Sequence, residues 1–135
     1  MNQYRKQRLL QIAQKMQGAR TGSSLHFSFI LKNNNLLCWA INNYEHRHLE
    51  HRFGKYVPHK VEISCKYIPG RHSECEVVKT FIKKFNHSDM SGLTLYNLRI
   101  DKRGNPMNSK PCPNCEREII VPLNWKEVLW STETL

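Results

Sequence analysis

The sequence lacks a long apolar run. Its 135 residues are 39% apolar and 24% charged, and no stretch approaches the roughly 18 apolar residues of a membrane-spanning helix. It also lacks internal repeats and low-complexity tracts, so we expect one domain over residues 1–135. The first residues, MNQYRKQR, are polar and basic, without the apolar block of a signal peptide. We therefore expect an intracellular, cytoplasmic protein without a membrane partner.

Acidic residues are scarce. The chain has 11 Asp and Glu against 21 Lys and Arg, which gives a formal net charge of +10. Residues 1–20 carry no acid at all. A basic surface favours a phosphate-bearing substrate or partner, either a nucleotide or a nucleic acid. The simpler interpretation is that the charge serves solubility alone.

The chain has too few cysteines for a secreted disulfide framework, and their number is odd. There are five, and two of them form a C-x-x-C. This pattern favours a reducing compartment, with two cysteines on a metal and the other three buried or free.

Hydrophobic periodicity predicts an α-β-β-α-β-α-β order. The predicted elements are a helix over 4–17, strands 25–31 and 36–41, a helix from 73 to about 84, a strand 93–100, a short helix from 111 to about 120 and a strand 127–131. Helices between strands predict parallel strands with helices packed on the sheet. Residues 42–71 read as a long irregular connection, with a short extended piece at 61–65.

Two short motifs carry the most chemical information. His72-Ser73-Glu74 is an H-x-E, and Pro111-Cys112-Pro113-Asn114-Cys115 is a P-C-x-x-C. Together they offer three zinc ligands, an open fourth position for water and a spare acid. That is the composition of a catalytic zinc site rather than a closed structural one.

The spacing of each motif suits this chemistry. Cys112 and Cys115 are three residues apart, so in a first helical turn their sulfurs face the same side, and the helix dipole lowers the thiol pKa. Residues i and i+2 do not share a face in a regular helix. His72 and Glu74 therefore converge only where a helix begins. Glu74 would then exchange protons between a zinc-bound water, which acts as nucleophile, and an amidine-like base.

Two other metal sites compete with this one. Cys65, Cys75, Cys112 and Cys115 would make a structural Cys₄ zinc, although the gap of nine residues between Cys65 and Cys75 is unlike the usual knuckle. The histidines of the long connection form a second cluster that would bind metal or, more simply, face solvent or phosphate: His46, His48 and His51.

These motifs resemble those of the cytidine deaminase-like superfamily, which includes cytidine, deoxycytidylate and tRNA adenosine deaminases. The chain looks most similar to small viral and bacterial deaminase-like proteins. The resemblance covers nearly the whole chain, from the first helix and hairpin to Val128–Thr132. It implies a three-layer α-β-α fold, with a mixed sheet of about four strands and helices on its faces. Many relatives continue with another helix and strand beyond the point that Leu135 occupies here, so the fold is expected to be C-terminally short.

The resemblance also implies roles for individual residues. One zinc ion per chain would be held by His72, Cys112 and Cys115, with Glu74 as proton shuttle. Asn42 matches the family asparagine that binds the sugar or nucleotide backbone. Ser109 lies where the segment before P-C-x-x-C lines the base pocket.

The implied activity is that of a zinc-dependent hydrolytic deaminase. It would convert cytosine to uracil in a nucleoside, nucleotide or single-stranded nucleic acid, and we favour cytosine over adenine. A homo-oligomer is a further expectation. The alternative is a non-catalytic, zinc-containing nucleic-acid-binding module that retains the deaminase fold.

Overall fold

A computed structural model of the chain describes residues 1–16, 25–42 and 72–135. In chain order the elements are helix α1 (Gln3–Met16), strands β1 (Leu25–Lys32) and β2 (Asn35–Ile41), helix α2 (Ser73–Phe85), strands β3 (Thr94–Ile100) and β4 (Pro106–Met107), the short helix α3 (Pro113–Cys115), a π-helical turn (Glu116–Ile120) and strand β5 (Glu127–Trp130). The extended piece expected at 61–65 lies outside the described residues.

The sheet is mixed, as predicted. β1 lies between β2 and β3 and pairs antiparallel with both, while β3 pairs antiparallel with β4 and parallel with β5. β2 and β3 therefore run in the same direction, as the crossover through α2 predicts. They do not pair with each other, because the hairpin partner β1 occupies the position between them. The strands that do form a parallel pair are β3 and β5.

The β1–β2 hairpin turns on two asparagines. Asn33 and Asn34 have positive φ angles of 50° and 69°. Asparagine adopts this left-handed region more readily than most residues because its short side chain bonds locally. The turn therefore forms where the sequence predicts it and pairs Lys32 with Asn35, and a register shift between Ile30 and Leu31 then places Phe29 opposite Trp39.

Alternate side chains of the sheet enter two separate cores. One face packs against Leu9 and Ala13 of α1. It contains aromatic and aliphatic residues from the odd-numbered positions of β1 and the even-numbered positions of β3: Phe27, Phe29, Leu31, Tyr96, Leu98 and Ile100. The opposite face packs against α2 and the π-helical turn through Ile30 and Leu95. Helices thus cover both faces, and the expected three-layer fold is confirmed.

The face toward α2 changes from apolar to polar along the strands. Ile30 and Leu95 form one cross-strand pair, and the next pair on the same face is Ser28 with Asn97. Both polar residues are buried, with exposed fractions of 0% and 2%. The polar pair lies under the first turn of α2, because the Ser28 hydroxyl contacts Ser73. The sheet therefore presents a buried polar floor at the start of that helix.

The helix predicted over 111 to about 120 is shorter and less regular than expected. Cys112 is extended (φ −68°, ψ 162°) and its side chain accepts a hydrogen bond from the Cys115 N–H. It therefore caps the helix, which begins at Pro113, a residue that needs no N–H partner in a first turn. After Cys115 the chain widens into the π-helical turn, closed by the bond from Val121 N–H to Glu116 C=O.

The packing of α1 against the sheet generates a first prediction. Leu9 has an exposed fraction of 0%, whereas Tyr4 on the same helix is 70% exposed. We expect Leu9→Ala to reduce the free energy of unfolding by about 2–5 kcal/mol, because it removes buried methyl groups and leaves a cavity. Tyr4→Ala should change it by less than about 0.5 kcal/mol. Chemical denaturation measures both, and equal effects would contradict the assigned packing of α1.

Candidate active site

Three side chains of the two motifs meet at one point. His72 Nδ1 lies 3.6 Å from Cys112 Sγ and 3.4 Å from Cys115 Sγ. The three potential ligand atoms all lie within 4.8 Å of one another. The fold thus brings together residues 40 and 43 positions apart in the chain.

The spacing of these atoms fits a zinc ion. With Zn–S bonds near 2.3 Å and Zn–N bonds near 2.0–2.1 Å, a tetrahedral ion places sulfur and nitrogen roughly 3.5 Å apart. The two observed S···N separations, 3.6 Å and 3.4 Å, lie on either side of that value. One imidazole and two thiols are also a zinc donor set. His72, Cys112 and Cys115 could therefore hold zinc, with a fourth position left for a non-protein ligand.

Two helix starts position the ligands. His72 directly precedes α2 in an extended conformation (φ −66°, ψ 148°), and Cys112 precedes α3 in a similar one. Because the backbone is not yet helical at His72, its imidazole and the carboxylate of Glu74 both face one cavity. This is the convergence at a helix start that the H-x-E spacing predicts.

The Cys115 thiol lies where its thiolate form requires a neighbouring cation. Burial raises the pKa of the Cys115 thiol well above its ordinary value, and the neighbouring Glu74 carboxylate and Cys112 thiol raise it further. A thiolate is the form that binds metal. A bound divalent cation would offset the repulsion among Cys115, Cys112 and Glu74, so the electrostatics favour a metal at this point.

Glu74 lies beside this group without belonging to it. Its exposed fraction is 6%, and its Oε1 accepts a hydrogen bond of 3.2 Å from the Ser73 hydroxyl. It lines a cavity of about 80 Å³ together with His72 and Cys112. Glu74 is thus a buried carboxylate at the wall of the cavity beside the three-residue group, which makes it a candidate acid/base.

Asn42 and Ser109, the two predicted substrate-binding residues, also line this cavity. Asn42 Oδ1 accepts from the His26 N–H at 2.9 Å, and the Asn42 N–H donates to the His26 C=O at 3.0 Å. Ser109 Oγ lies 2.8 Å from the Asn97 C=O and 2.8 Å from Ser131 Oγ. Both residues are thus fixed to neighbouring strands at the cavity wall.

Three polar residues of the cavity lining were not predicted from the sequence: His26, Asn97 and Lys110. Strand alternation contains a signal for the first. Phe27 and Phe29 enter the core under α1, so His26 and Ser28 must face the other side. Burial, then the charges of Arg99 and His72, lower the pKa of His26 from 6.5 to about 4. The His26 imidazole is therefore neutral at physiological pH.

The competing metal sites gain no support from the described residues. Within them, His72, Cys112 and Cys115 make up the group of ligand-type side chains that could hold a metal. Cys38 is buried and free, as expected. Cys75 is buried, as expected, but it is disulfide-bonded, whereas the cysteine pattern favoured a reducing compartment. The disulfide removes its thiolate from the Cys₄ alternative. Cys65 and the histidine cluster over 46–51 lie outside the described residues.

Comparison with known proteins supports the fold. No family model matches the chain, and no curated protein matches its sequence. Its fold is similar to that in the X-ray structure of guanine deaminase from Bacillus subtilis, with a TM-score of 0.56 and 16% sequence identity. The match covers 98% of this chain and 65% of that chain, so this chain spans just under two thirds of that protein.

The class of fold is thus deaminase-like, as the resemblance to the cytidine deaminase-like superfamily implies. The likeness to small viral and bacterial members stays a prediction. The likeness shows the fold, and within the described residues His72, Cys112 and Cys115 form a group that could bind a metal ion. Across the parts of the chain that the structure describes, no helix is both long and apolar enough to cross a membrane.

The ligand geometry predicts the metal content. We expect one zinc per chain in the purified protein, because three donors already stand at zinc-binding distances. Replacing Cys112 and Cys115 together by Ser should remove the zinc. Cys38→Ala is the matched control, since Cys38 is also buried in the core but lies outside the metal group. Elemental analysis measures the content, and protein prepared without chelators that contains no zinc would contradict the site.

The neutral His26 predicts a dependence of stability on pH. Its folded pKa of about 4 lies below 6.5, so the unfolded state binds the proton more tightly. Its contribution is fully present above pH 6.5 and is lost as the pH falls toward 4, by about 3 kcal/mol. We expect His26→Gln to lose less unfolding free energy than the wild type between pH 7 and 4.5, measured by urea denaturation. Acid protonation of the metal ligands affects both proteins alike, and parallel pH profiles would contradict the assignment.

Proposed function

We propose that this chain is a zinc-dependent hydrolytic deaminase that converts a cytosine base to uracil. The observation that carries the proposal is the position of Glu74. Its carboxylate is buried beside His72, Cys112 and Cys115, and it faces an open cavity. A closed structural zinc site has four protein ligands and needs no such carboxylate, whereas hydrolysis needs both an open position and an acid/base.

The residues divide the chemistry between them. His72, Cys112 and Cys115 would hold the zinc, and zinc in such a site supplies Lewis acidity that lowers the pKa of water. Glu74 would accept the proton of the attacking water on a carboxylate oxygen. It would then deliver protons to the ring nitrogen and to the departing amine. A C4–O bond forms and the C4–N bond breaks, so cytosine and water give uracil and ammonia.

The shape and charge of the cavity support a base with a polar attachment. The cavity has a volume of about 80 Å³, and its polar lining residues His26, Asn97 and Lys110 offer hydrogen-bond partners to a base and its attachment. We propose that Asn42 contacts the sugar or backbone and that Ser109 lines the base pocket. Lys110 at the cavity and the net charge of +10 favour a nucleotide or single-stranded nucleic acid over a free base.

Several expectations about the whole protein join this proposal. They are a single domain over residues 1–135, a homo-oligomer and a cytoplasmic location, although the disulfide at Cys75 counts against the last, since disulfides are rare in a reducing compartment. Because the protein of similar fold is described as a guanine deaminase, guanine belongs in any test of substrates. The rival function, a zinc-containing nucleic-acid-binding module without catalysis, has no use for a buried carboxylate beside the metal group.

Substitution of Glu74 separates the two functions. We expect Glu74→Gln to keep the zinc and the fold and to lower ammonia release by about 10²–10⁴-fold, the usual contribution of a placed acid/base. Glu116→Gln, at an exposed carboxylate after α3, is the matched control and should leave the rate unchanged. The substrates are cytidine, deoxycytidine, their monophosphates and single-stranded DNA and RNA, with adenine and guanine compounds beside them. Equal rates for wild type and Glu74→Gln would overturn the mechanism.

A further inference from the structure

A line of buried polar side chains runs from Glu74 into the sheet. Ser73 Oγ lies 3.2 Å from Glu74 Oε1 and 2.8 Å from Ser28 Oγ. Ser28 Oγ lies 2.7 Å from Asn97 Oδ1. Asn97 Nδ2 in turn donates to the Ser109 C=O at 3.5 Å, at the far wall of the cavity. The line thus connects the proposed proton shuttle with residues on β1 and β3.

Burying these polar side chains costs free energy unless each of them has a hydrogen-bond partner. Ser28, Ser73 and Asn97 have exposed fractions of 0%, 2% and 2%, and a buried polar group stabilises the fold only when it is paired. The next pair on the same sheet face, Ile30 with Leu95, is apolar. The polar pair stands instead directly beneath Glu74.

The direction of the hydrogen bonds in the line is adjustable. Its two ends, Glu74 Oε1 and Asn97 Oδ1, are acceptors when Glu74 is a carboxylate, and between them lie two hydroxyls with one proton each. A hydroxyl both donates and accepts, so Ser73 is able to donate to the carboxylate and to accept from the carboxylic acid that forms when Glu74 takes up a proton. While Glu74 is a carboxylate, Ser28 has one proton and donates it either to Ser73 Oγ or to Asn97 Oδ1. When Glu74 carries a proton, Glu74 donates to Ser73, Ser73 donates to Ser28 and Ser28 donates to Asn97 Oδ1.

We propose that Ser28 is a positioning residue for Glu74, acting through the Ser73 hydroxyl. This proposal rests on the proposed deaminase function. Ser28 lies 45 positions before Ser73 in the sequence and belongs to neither metal motif. It holds the Ser73 hydroxyl against Oε1, which keeps the carboxylate in one orientation. Proton exchange with the water and the base then falls to the second oxygen, Oε2.

A double-mutant cycle tests the proposal. Ser28→Ala and Ser73→Ala each remove one hydroxyl at nearly constant shape, and the double variant completes the cycle. We expect each single variant to lower kcat by about 3- to 10-fold, the size of one hydrogen bond, with KM within about twofold of wild type. The double variant should match a single one rather than multiply the effects, since both act on the same contact. Thr80→Ala, which removes an exposed hydroxyl from the same helix, is the control and should not change kcat.

Two further readouts separate this role from plain stability. Zinc content should remain that of wild type in all variants. A crystal structure of Ser28→Ala should show the Ser73 Oγ to Glu74 Oε1 separation lengthened beyond 3.2 Å. Three results would each overturn the proposal. The first is an unchanged kcat with only a lower Tm, the second is a double variant in which the two effects multiply, and the third is an unchanged Ser73–Glu74 contact.

Failure of the proposed function would be recognised separately. In that case the wild type releases no ammonia from any of the bases tested, and the crystallographic contact in Ser28→Ala alone decides whether Ser28 orients Glu74. If the wild type is active but the reductions of kcat in the two single variants multiply in the double variant, the deaminase function stands and the positioning role is wrong.

Discussion

The structure depends on the meeting of two helix starts above the polar floor of the sheet. One start carries His72 and Glu74, the other carries Cys112 and Cys115, and the imidazole lies 3.6 Å and 3.4 Å from the two sulfurs. Neither motif closes this group alone. β3 follows α2 and precedes α3, so its place beside β1 fixes how the two starts approach each other. Any shift in the β1–β3 register would separate the ligands.

The sheet supports this group by dividing its two faces. The face under α1 is wholly apolar and holds the stacked Phe27 and Phe29. The opposite face begins apolar beneath the middle of α2 and becomes polar beneath its first turn, at Ser28 and Asn97. A buried carboxylate is tolerated there because the Ser73 hydroxyl, itself bonded to Ser28, donates to it in place of water. On our proposal, the same contact also limits the motion of Glu74.

The sequence predicted where the helices and strands lie better than it predicted which strands pair. Hydrophobic periodicity placed α1, β1, β2 and α2 close to the bounds that the structure gives them. The crossover through α2 predicted that β2 and β3 run in the same direction, and they do, but the sequence did not predict that β1 lies between them and also pairs with β3. Periodicity reports which residues face a core, but strand order is decided by long-range pairing. For the same reason His26 was missed, since its cavity exists only after β1, α2 and the segment before α3 have packed.

The sequence by itself determined the set of candidate metal donors and its local geometry. The C-x-x-C motif lies at one helix start and the H-x-E motif at another, and each is a property of a few consecutive residues. The sequence also determined the charge, the two-faced strands and the deaminase-like fold class. Tertiary structure alone decided that His72 Nδ1 is the nitrogen facing the thiols and that Glu74 is buried beside them. It also decided that Ser28, far away in the chain, reaches Ser73. Those contacts join separate segments, and only the packing of helices on a sheet of defined register sets distances between segments.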